Sequence, residues 1–188
     1  TAKVVATIQE LSGARLELGI GVGWMDAEFR AVGVNRHARG RITDDTLKFI
    51  HAAFDAADDE VDSNGQRFVF RPRPPKPRIW IGGHGPHALT RTVALGDGWI
   101  AMTNDPEKLR EPAAELRVRF HDAGRADPEI AVLGGVGRDG IDADLERIAA
   151  LEEIGVTEFI AGGRYDDLDG FLRALEPLAE CRNATLRH

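Results

Sequence analysis

The sequence predicts an α/β fold in which five βα units follow one another along the chain. Short apolar runs that end in or begin with glycine alternate with segments of helical amphipathic spacing, a pattern typical of parallel strands joined by crossover helices. The five apolar runs lie at 16–21, 78–82, 98–102, 129–134 and 157–161. This alternation fits an open doubly wound sheet and also part of an eight-stranded TIM barrel. A helical pattern that starts at Ala2 favours a partial (β/α)8 TIM barrel, with three further units expected upstream.

The first unit is predicted to contain one strand and three helices. A helix at 2–11 ends at a Ser-Gly pair, and the strand at 16–21 follows it. Asp26 is placed to cap a short helix through residue 31, and a basic turn occupies 36–41. Thr43 then begins an amphipathic helix. One face of that helix is apolar and consists of Leu47, Ile50, Ala53 and Phe54.

An irregular excursion at 55–78 interrupts the alternation. Residues 63–65 (Ser-Asn-Gly) indicate a turn, 67–70 a short strand, and the proline-rich stretch 72–77 an extended linker. This excursion is too short to be a domain of its own. The sequence therefore predicts a single domain over residues 1–188.

From residue 78 onward the alternation of strand and helix returns. The Asp105-Pro106 pair places a proline in the first turn of a helix, where its missing N–H costs nothing. Asp142 and Asp166 are predicted N-caps. The predicted helices span 86–96, 105–124, 142–154 and 166–181.

Composition excludes several classes of partner. The 188 residues carry a net charge of −7 with acids and bases interspersed, so neither nucleic acid nor an anionic membrane surface is an expected partner. No apolar run approaches the roughly 20 residues that span a bilayer. The single cysteine, Cys181, cannot form an internal disulfide, and we expect a reducing cytoplasm. A small-molecule substrate is the expected partner.

Two sequence blocks resemble the signature blocks of luciferase-like flavin and deazaflavin oxidoreductases. The first runs from 12 to 24 (SGARLELGIGVGW) and continues through Glu28, Gly33 and Arg41. It departs from the family pattern at Ala14, where the family usually has glycine.

The second block follows in the family's order and spacing. It runs from 74 to 83 (PPKPRIWIGG), continues with Ala-Leu at 88–89 and ends with Gly-Asp-Gly-Trp at 96–99. Both blocks lie within residues 1–105, and the rest of the chain matches only as generic βα repeats. The most similar branch uses coenzyme F420.

The resemblance implies a (β/α)8 barrel whose cofactor lies at the C-terminal ends of the strands. This chain would supply strands four to eight and lack the first three, which form one wall of the family's cofactor pocket. Family members commonly form dimers, so a homo-oligomer is expected.

The best candidate site is the glycine-rich turn between the strand at 78–82 and the next helix. Glycines there let a ligand approach the backbone, and the amides at a helix N-terminus suit a phosphate. The resemblance assigns the cofactor's phosphate to this loop and to the start of its helix. The alternative is a tight turn in which the glycines are needed only for the backbone conformation. The predicted cofactor-binding residues here are Gly82, Gly83, His84, Gly85 and Ala88.

Two further segments are candidates for contacts with the cofactor. The resemblance places Gly23, Trp24 and Met25 near the cofactor's ring or tail, with simple packing as the alternative. Thr103 and Asn104 follow the strand at 98–102, and either could meet the tail.

Other patterns are weaker. His84 and His87 lack the third ligand that a metal site needs, so no metal is predicted. The glycines at 19, 21 and 23 have G-x-G-x-G spacing, which is not the dinucleotide fingerprint. Glu28 and Arg41 fit a catalytic acid and base or a structural ion pair, and their spacing favours the ion pair.

The sequence, together with the resemblance, predicts an F420-dependent oxidoreductase that transfers a hydride between a deazaflavin and an organic substrate. Two alternatives remain open: an FMN-dependent luciferase-like monooxygenase, and a non-catalytic truncated remnant acting as a structural subunit. No catalytic residue is predicted, because the family often places its acid or base on the strands that this chain lacks. Neither a hydrolase triad nor a phosphate-binding Walker loop is discernible.

Overall fold

The structure, a computed structural model, describes residues 1–137 and 139–185. The chain divides into two compact units. The first consists of Thr1–Gly82 and Thr90–Asp97, and the second of Gly83–Leu89 and the chain from Gly98 onward.

Up to Gly82 a β-hairpin interrupts the alternation of strand and helix. The elements of this part are α1 (Ala2–Leu11), β1 (Glu17–Ile20), α2 (Asp26–Ala31), a 3-10 helix (Arg36–Ala38), α3 (Arg39–Asp55), β2 (Glu60–Ser63), β3 (Gln66–Val69) and β4 (Arg78–Gly82). After Gly82 come α4 (Pro86–Leu95), β5 (Gly98–Ala101), α5 (Pro106–Asp122), β6 (Glu129–Gly134), α6 (Ile141–Ile154), β7 (Glu158–Ala161) and α7 (Leu168–Thr185).

The strands of the five βα units are parallel, in the order β1-β4-β5-β6-β7. In the first unit β1 pairs with β4, with Glu17 opposite Arg78. In the second unit β6 pairs with β5 and with β7. Parallel strands of this kind need crossover helices, which here are the helices after each strand. The predicted α/β class with five parallel βα units is confirmed.

Each unit has its own apolar core. In the first, Leu47 and Ile50 of α3 are fully buried because their spacing puts them on one helix face. That core comprises Ala2, Val5, Ala6, Leu47, Ile50, Ala53, Phe54, Val61, Phe70, Ile79 and Ile81. The fully buried residues of the second unit come from α5, β5, β6 and α6 and include Ala101, Leu109, Leu116, Phe120, Ile130, Val132 and Leu151. None of the helices in the described ranges is long and apolar enough to cross a membrane.

The excursion contains a β-hairpin, of which the sequence predicts the turn and the second strand but not the first strand. The turn at 63–65 is confirmed, with Asn64 at φ 53° and Gly65 at φ 74°. The antiparallel strands on either side are β2 and β3. The strand β2 was missed because its residues are mostly charged or polar, and only Val61 is buried.

Helix starts differ from the predictions at two places in the first unit. The helix predicted to begin at Thr43 begins at Arg39, because the 3-10 turn capped by Asn35 leads straight into α3. Asp26 is wrong as an N-cap: Met25 occupies that position, and Asp26 instead pairs with Arg30 at 2.7 Å.

Two predicted caps in the second unit are also wrong. The N-cap of α6 is Gly140, not Asp142. At α7 the carboxylate of Asp167, not of Asp166, accepts the Gly170 amide at 2.6 Å. At α5 the predicted proline in the first helical turn is confirmed at Pro106. The N-cap of this helix is Asp105, whose side chain accepts the Glu107 amide at 3.1 Å.

Candidate functional site

The loop after β4 is held at Gly83 by two hydrogen bonds. The Gly83 amide donates to the Ile100 carbonyl at 3.3 Å, and Trp99 Nε1 donates to the Gly83 carbonyl at 2.8 Å. Gly83 has φ 138°, and a Cβ there would lie 3.3 Å from the Ala88 Cβ. Glycine is therefore required at this position, and the backbone beyond it is fixed in place.

The start of α4 leaves three backbone amides open. Gly85 (φ 77°) precedes the helix, and its carbonyl accepts the amides of Ala88 (3.2 Å) and Leu89 (3.4 Å). The amides of His84, Gly85 and His87 donate to no acceptor within the described chain. Pro86, between them, has no N–H to satisfy.

This arrangement suits an anion. Unpaired amides at a helix N-terminus point outward and carry the positive end of the helix dipole. Both His84 and His87 are exposed, so either ring can approach a bound group. A Cβ at Gly85 would meet no atom within 4 Å, so the space beside the amides is open. The residues present fit a phosphate group.

The segment after β1, in the first unit, exposes the residues that were expected to meet the ring or tail. Trp24 is 75% exposed and Met25 is 38% exposed. Gly23 (φ 76°) lies under the Phe29 ring, which would be 3.0 Å from a Cβ. The Trp24 carbonyl accepts a hydrogen bond from Arg36 Nε at 3.2 Å.

Thr103 and Asn104 connect β5 to α5 in the second unit. Thr103 Oγ1 accepts the Asp105 amide at 3.2 Å, which fixes the hydroxyl oxygen within the turn. The Asn104 amide group packs against Gly134, where a Cβ would clash with Asn104 Nδ2. The hydrogen bond from Lys108 lowers the pKa of the Asp105 carboxyl.

The predicted ion pair between Glu28 and Arg41 is wrong. Arg41 pairs with Asp45 at 3.3 Å, one turn along α3, because the basic segment is helical and so presents Arg41 to its own helix. The segment 36–41, predicted only as a basic turn, is helical: Arg36 lies in the 3-10 helix, and Arg39 and Arg41 lie in α3.

The loop after β6 is closed by its own helix. Asp144, 1% exposed, accepts the Gly137 amide at 2.5 Å and pairs with Arg147 at 2.6 Å. Arg147 also donates to the Gly135 carbonyl at 2.8 Å. Side chains of α6 therefore already occupy the Gly137 amide and the Gly135 carbonyl.

The predicted core tryptophans are confirmed. Trp80 and Trp99 are 4% and 3% exposed, and the Trp80 indole donates to Glu17 at 3.0 Å. Both rings are structural in the described chain.

A cavity of about 520 Å³ lies beside α7, away from the predicted cofactor residues. Cys181 lines it, and burial raises the pKa of that thiol. A raised pKa disfavours the nucleophilic thiolate. Within residues 1–137 and 139–185 no group of three or more His, Cys, Asp or Glu side chains could hold a metal ion.

The chain has relatives among curated proteins. An uncharacterized protein of Mycobacterium tuberculosis is 29% identical over 194 residues, covering 95% of this chain and 65% of that protein. The FMNH(2)-dependent dimethylsulfone monooxygenase of Pseudomonas putida is 25% identical, covering 90% of this chain and 47% of that protein. The chain thus spans less than two thirds of the length of these relatives.

Solved structures show the fold. An F420-dependent secondary alcohol dehydrogenase, in complex with an F420-acetone adduct, matches with a TM-score of 0.72 at 14% identity, covering 96% of this chain and 72% of that one. The coenzyme F420 dependent tetrahydromethanopterin reductase of Methanopyrus kandleri matches with a TM-score of 0.66 at 13% identity. That match covers 94% of this chain and 76% of the reductase chain. The predicted partial (β/α)8 barrel is confirmed. The luciferase-like monooxygenase profile matches residues 1–179, and the chain belongs to that family.

Proposed function

We propose that the protein is an F420-dependent oxidoreductase that transfers a hydride between a deazaflavin and a small organic substrate. The observation that carries the proposal is the set of three open amides at the start of α4, on His84, Gly85 and His87. The F420-dependent proteins with the same fold support the choice of cofactor.

In this proposal the chain's own residues bind the cofactor and orient it. The three amides hold the cofactor's phosphate, and the absence of side chains at Gly83 and Gly85 lets it approach the backbone. Because Gly83 is anchored to Ile100 and Trp99, the donors are fixed before the ligand arrives, which lowers the entropy lost on binding. When bound, the deazaflavin supplies the hydride chemistry.

The remaining predicted residues act as lesser contacts in this proposal. Ala88 packs against Gly83 and holds the loop close to the helix, and Gly82 ends β4 without a side chain. The Thr103 hydroxyl, whose oxygen accepts the Asp105 amide, keeps its own proton free for a hydrogen bond. In the first unit, Gly23, Trp24 and Met25 stay predicted contacts, and both Trp24 and Met25 are exposed.

FMN is the alternative cofactor, and an FMN-dependent monooxygenase the alternative enzyme. The similarity to the FMNH(2)-dependent monooxygenase of Pseudomonas putida supports it. The open amides suit either cofactor, since each carries a phosphate.

Equilibrium binding to the intact protein tests the proposal. We expect F420 to bind saturably, with its fluorescence as readout, and inorganic phosphate to displace it. We expect F420 to bind more tightly than FMN. Tighter binding of FMN would transfer the assignment to the monooxygenase, and binding of neither cofactor would overturn the proposal.

A further inference from the structure

The cavity of about 520 Å³ beside the C-terminal half of α7 lies within the second unit. Its volume falls in the range of about 300–1,000 Å³ that is typical of small-molecule sites. The walls come from α6, β7, α7 and the loops after β6 and α6. The apolar side chains and the thiol among them are Val136, Ile148, Val156, Phe159, Ala161, Leu178 and Cys181.

The apolar surface of this cavity is only partly covered by protein. Ile148 of α6, Phe159 of β7 and Leu178 of α7 are half-buried, and they line the cavity together. An apolar molecule in the cavity would cover them, and burial of apolar surface is favourable in proportion to the area removed from water. The cavity therefore suits an apolar body.

Hydrogen bonds and close packing fix the walls of the cavity. α7 lies against the loop after β6 at Pro177, because a Cβ at Gly137 would come within 2.9 Å of the Pro177 Cγ. Just before β7, Thr157 Oγ1 donates to the Ile130 carbonyl at 3.2 Å and accepts the Ile130 amide at 3.1 Å. A preformed cavity loses less entropy on binding than one that must first open.

Carboxylates without a partner determine the charge of this cavity. Glu152 of α6 and Glu158 of β7 line it and are exposed, and neither forms an ion pair with any residue at 1–137 or 139–185. Arg182 of α7 also lines the cavity and has no ion-pair partner in those ranges. Two negative side chains thus face one positive side chain, and the net charge of the whole protein is −7. Both features favour a cationic group on the ligand.

We propose that this cavity binds a small apolar molecule that carries one primary ammonium group. The apolar body lies against Phe159 and Leu178, and the ammonium lies at the carboxylates of Glu152 and Glu158. An ammonium is a compact charge with three N–H donors, so two carboxylates can share it. None of the described residues that line the cavity belongs to the loop after β4, so the inference does not depend on the proposed function.

Calorimetric titration of the intact protein with n-octylamine, n-octanol and octanoate tests the proposal. At neutral pH the three probes share one apolar chain and differ in the charge of the head group. We expect octylamine to bind most tightly and octanoate most weakly. Absence of octylamine binding would overturn the proposal. Tighter binding of octanoate would also overturn it, because Arg182 would then determine the preference.

Two matched double variants distinguish the carboxylates of the cavity from the general charge of the protein. Glu152→Gln with Glu158→Gln removes both carboxylates, and Glu146→Gln with Glu153→Gln removes the same charge from exposed positions of α6 that do not line the cavity. We expect the first variant to bind octylamine about fivefold more weakly, and octanol within about twofold of wild type. The control variant should stay within about twofold for both probes. Equal weakening of octylamine binding in the two variants would contradict the proposal.

The single cysteine of the chain reports whether the probe occupies this cavity. Cys181 is 4% exposed and lines the cavity, so saturating octylamine should slow its reaction with a maleimide. Leu178→Trp fills the cavity and should abolish this protection. Leu172→Trp, at an exposed position of the same helix, should leave it unchanged. Protection of Cys181 that persists in the Leu178 variant would mean that octylamine binds elsewhere, which overturns the proposal.

Discussion

Two loops carry the same Gly-Gly-x-Gly pattern, at 82–85 around the end of β4 and at 134–137 around the end of β6. At the second loop, Asp144 accepts the Gly137 amide and Arg147 donates to the Gly135 carbonyl. After β4 the amides of His84 and Gly85 meet no acceptor in the described chain. Side chains of α6 therefore occupy two backbone groups of the loop after β6, whereas no side chain in the described ranges accepts from the amides of the loop after β4.

The difference lies in the helix that follows each loop. α6 carries Asp144 within its first turn, and this carboxylate reaches back to the loop. α4, with the sequence PHALTRTVAL, contains no acidic residue. The glycine pattern therefore sets the path of the backbone. Side chains of the following helix determine whether the loop's amides are already hydrogen-bonded or are free to bind an anion.

The largest expected effect comes from opening the closed loop. Asp144→Ala leaves Arg147 and the Gly137 amide without their partner, so we expect the free energy of unfolding to fall by about 2–3 kcal/mol, because a broken buried pair is strongly destabilising. Urea unfolding measures it. Asp142→Ala, an exposed residue of the same helix, is the control, with an expected loss of about 0.5 kcal/mol. Equal losses in the two variants would show that Asp144 does not close the loop.

The first glycine of each loop gives the second test. A Cβ at Gly134 would lie 2.7 Å from Phe159 Cζ, whereas one at Gly82 would lie 3.5 Å from the Ile20 carbonyl oxygen, an ordinary contact. We expect Gly134→Ala to lower the free energy of unfolding by about 1–3 kcal/mol through overpacking. Gly82→Ala should change it by less than about 0.5 kcal/mol. A Gly82 variant as unstable as the Gly134 variant would contradict this comparison.

The open loop is tested through binding. Gly85→Asp places a carboxylate beside the amides of α4, and we expect at least tenfold weaker binding of F420, about 1.4 kcal/mol. Gly85→Asn has the same shape without the charge and also tolerates φ 77°. It should bind within about threefold of wild type, or about 0.65 kcal/mol. Equal binding by the two variants would mean that no anion lies at these amides.

The smallest effect concerns Asp105, the side-chain cap of α5. Its pKa is lowered chiefly by the hydrogen bond from Lys108, so the ionised form stabilises the fold above the unfolded pKa of about 3.9. That contribution is lost as the pH falls through the lower folded value. Asp105→Asn keeps the cap but removes the charge, so its Tm should lie slightly below wild type at neutral pH. The difference should vanish in strong acid, and a difference that persists there would have another cause.

Much of the fold could be predicted from the sequence because apolar periodicity is local. The helix at 2–11 and the strands at 78–82 and 129–134 have the predicted bounds. Helix starts were less predictable, since Thr43 looks like a start signal although α3 already begins at Arg39. The glycine-rich loop after β4 could be predicted as a candidate, but its difference from the loop after β6 could not. That difference depends on Asp144 and Arg147 reaching back across seven or more residues.

A titration with inorganic phosphate, followed by amide NMR shifts, tests the central claim most directly. The open loop is predicted to respond: the amides of His84, Gly85 and His87 should shift together and saturate. The Gly137 amide, already bonded to Asp144, should stay unchanged and serves as the internal control. Unchanged amides at 84–87, or equal shifts at Gly137, would contradict the claim that the loop after β4 is an open anion site.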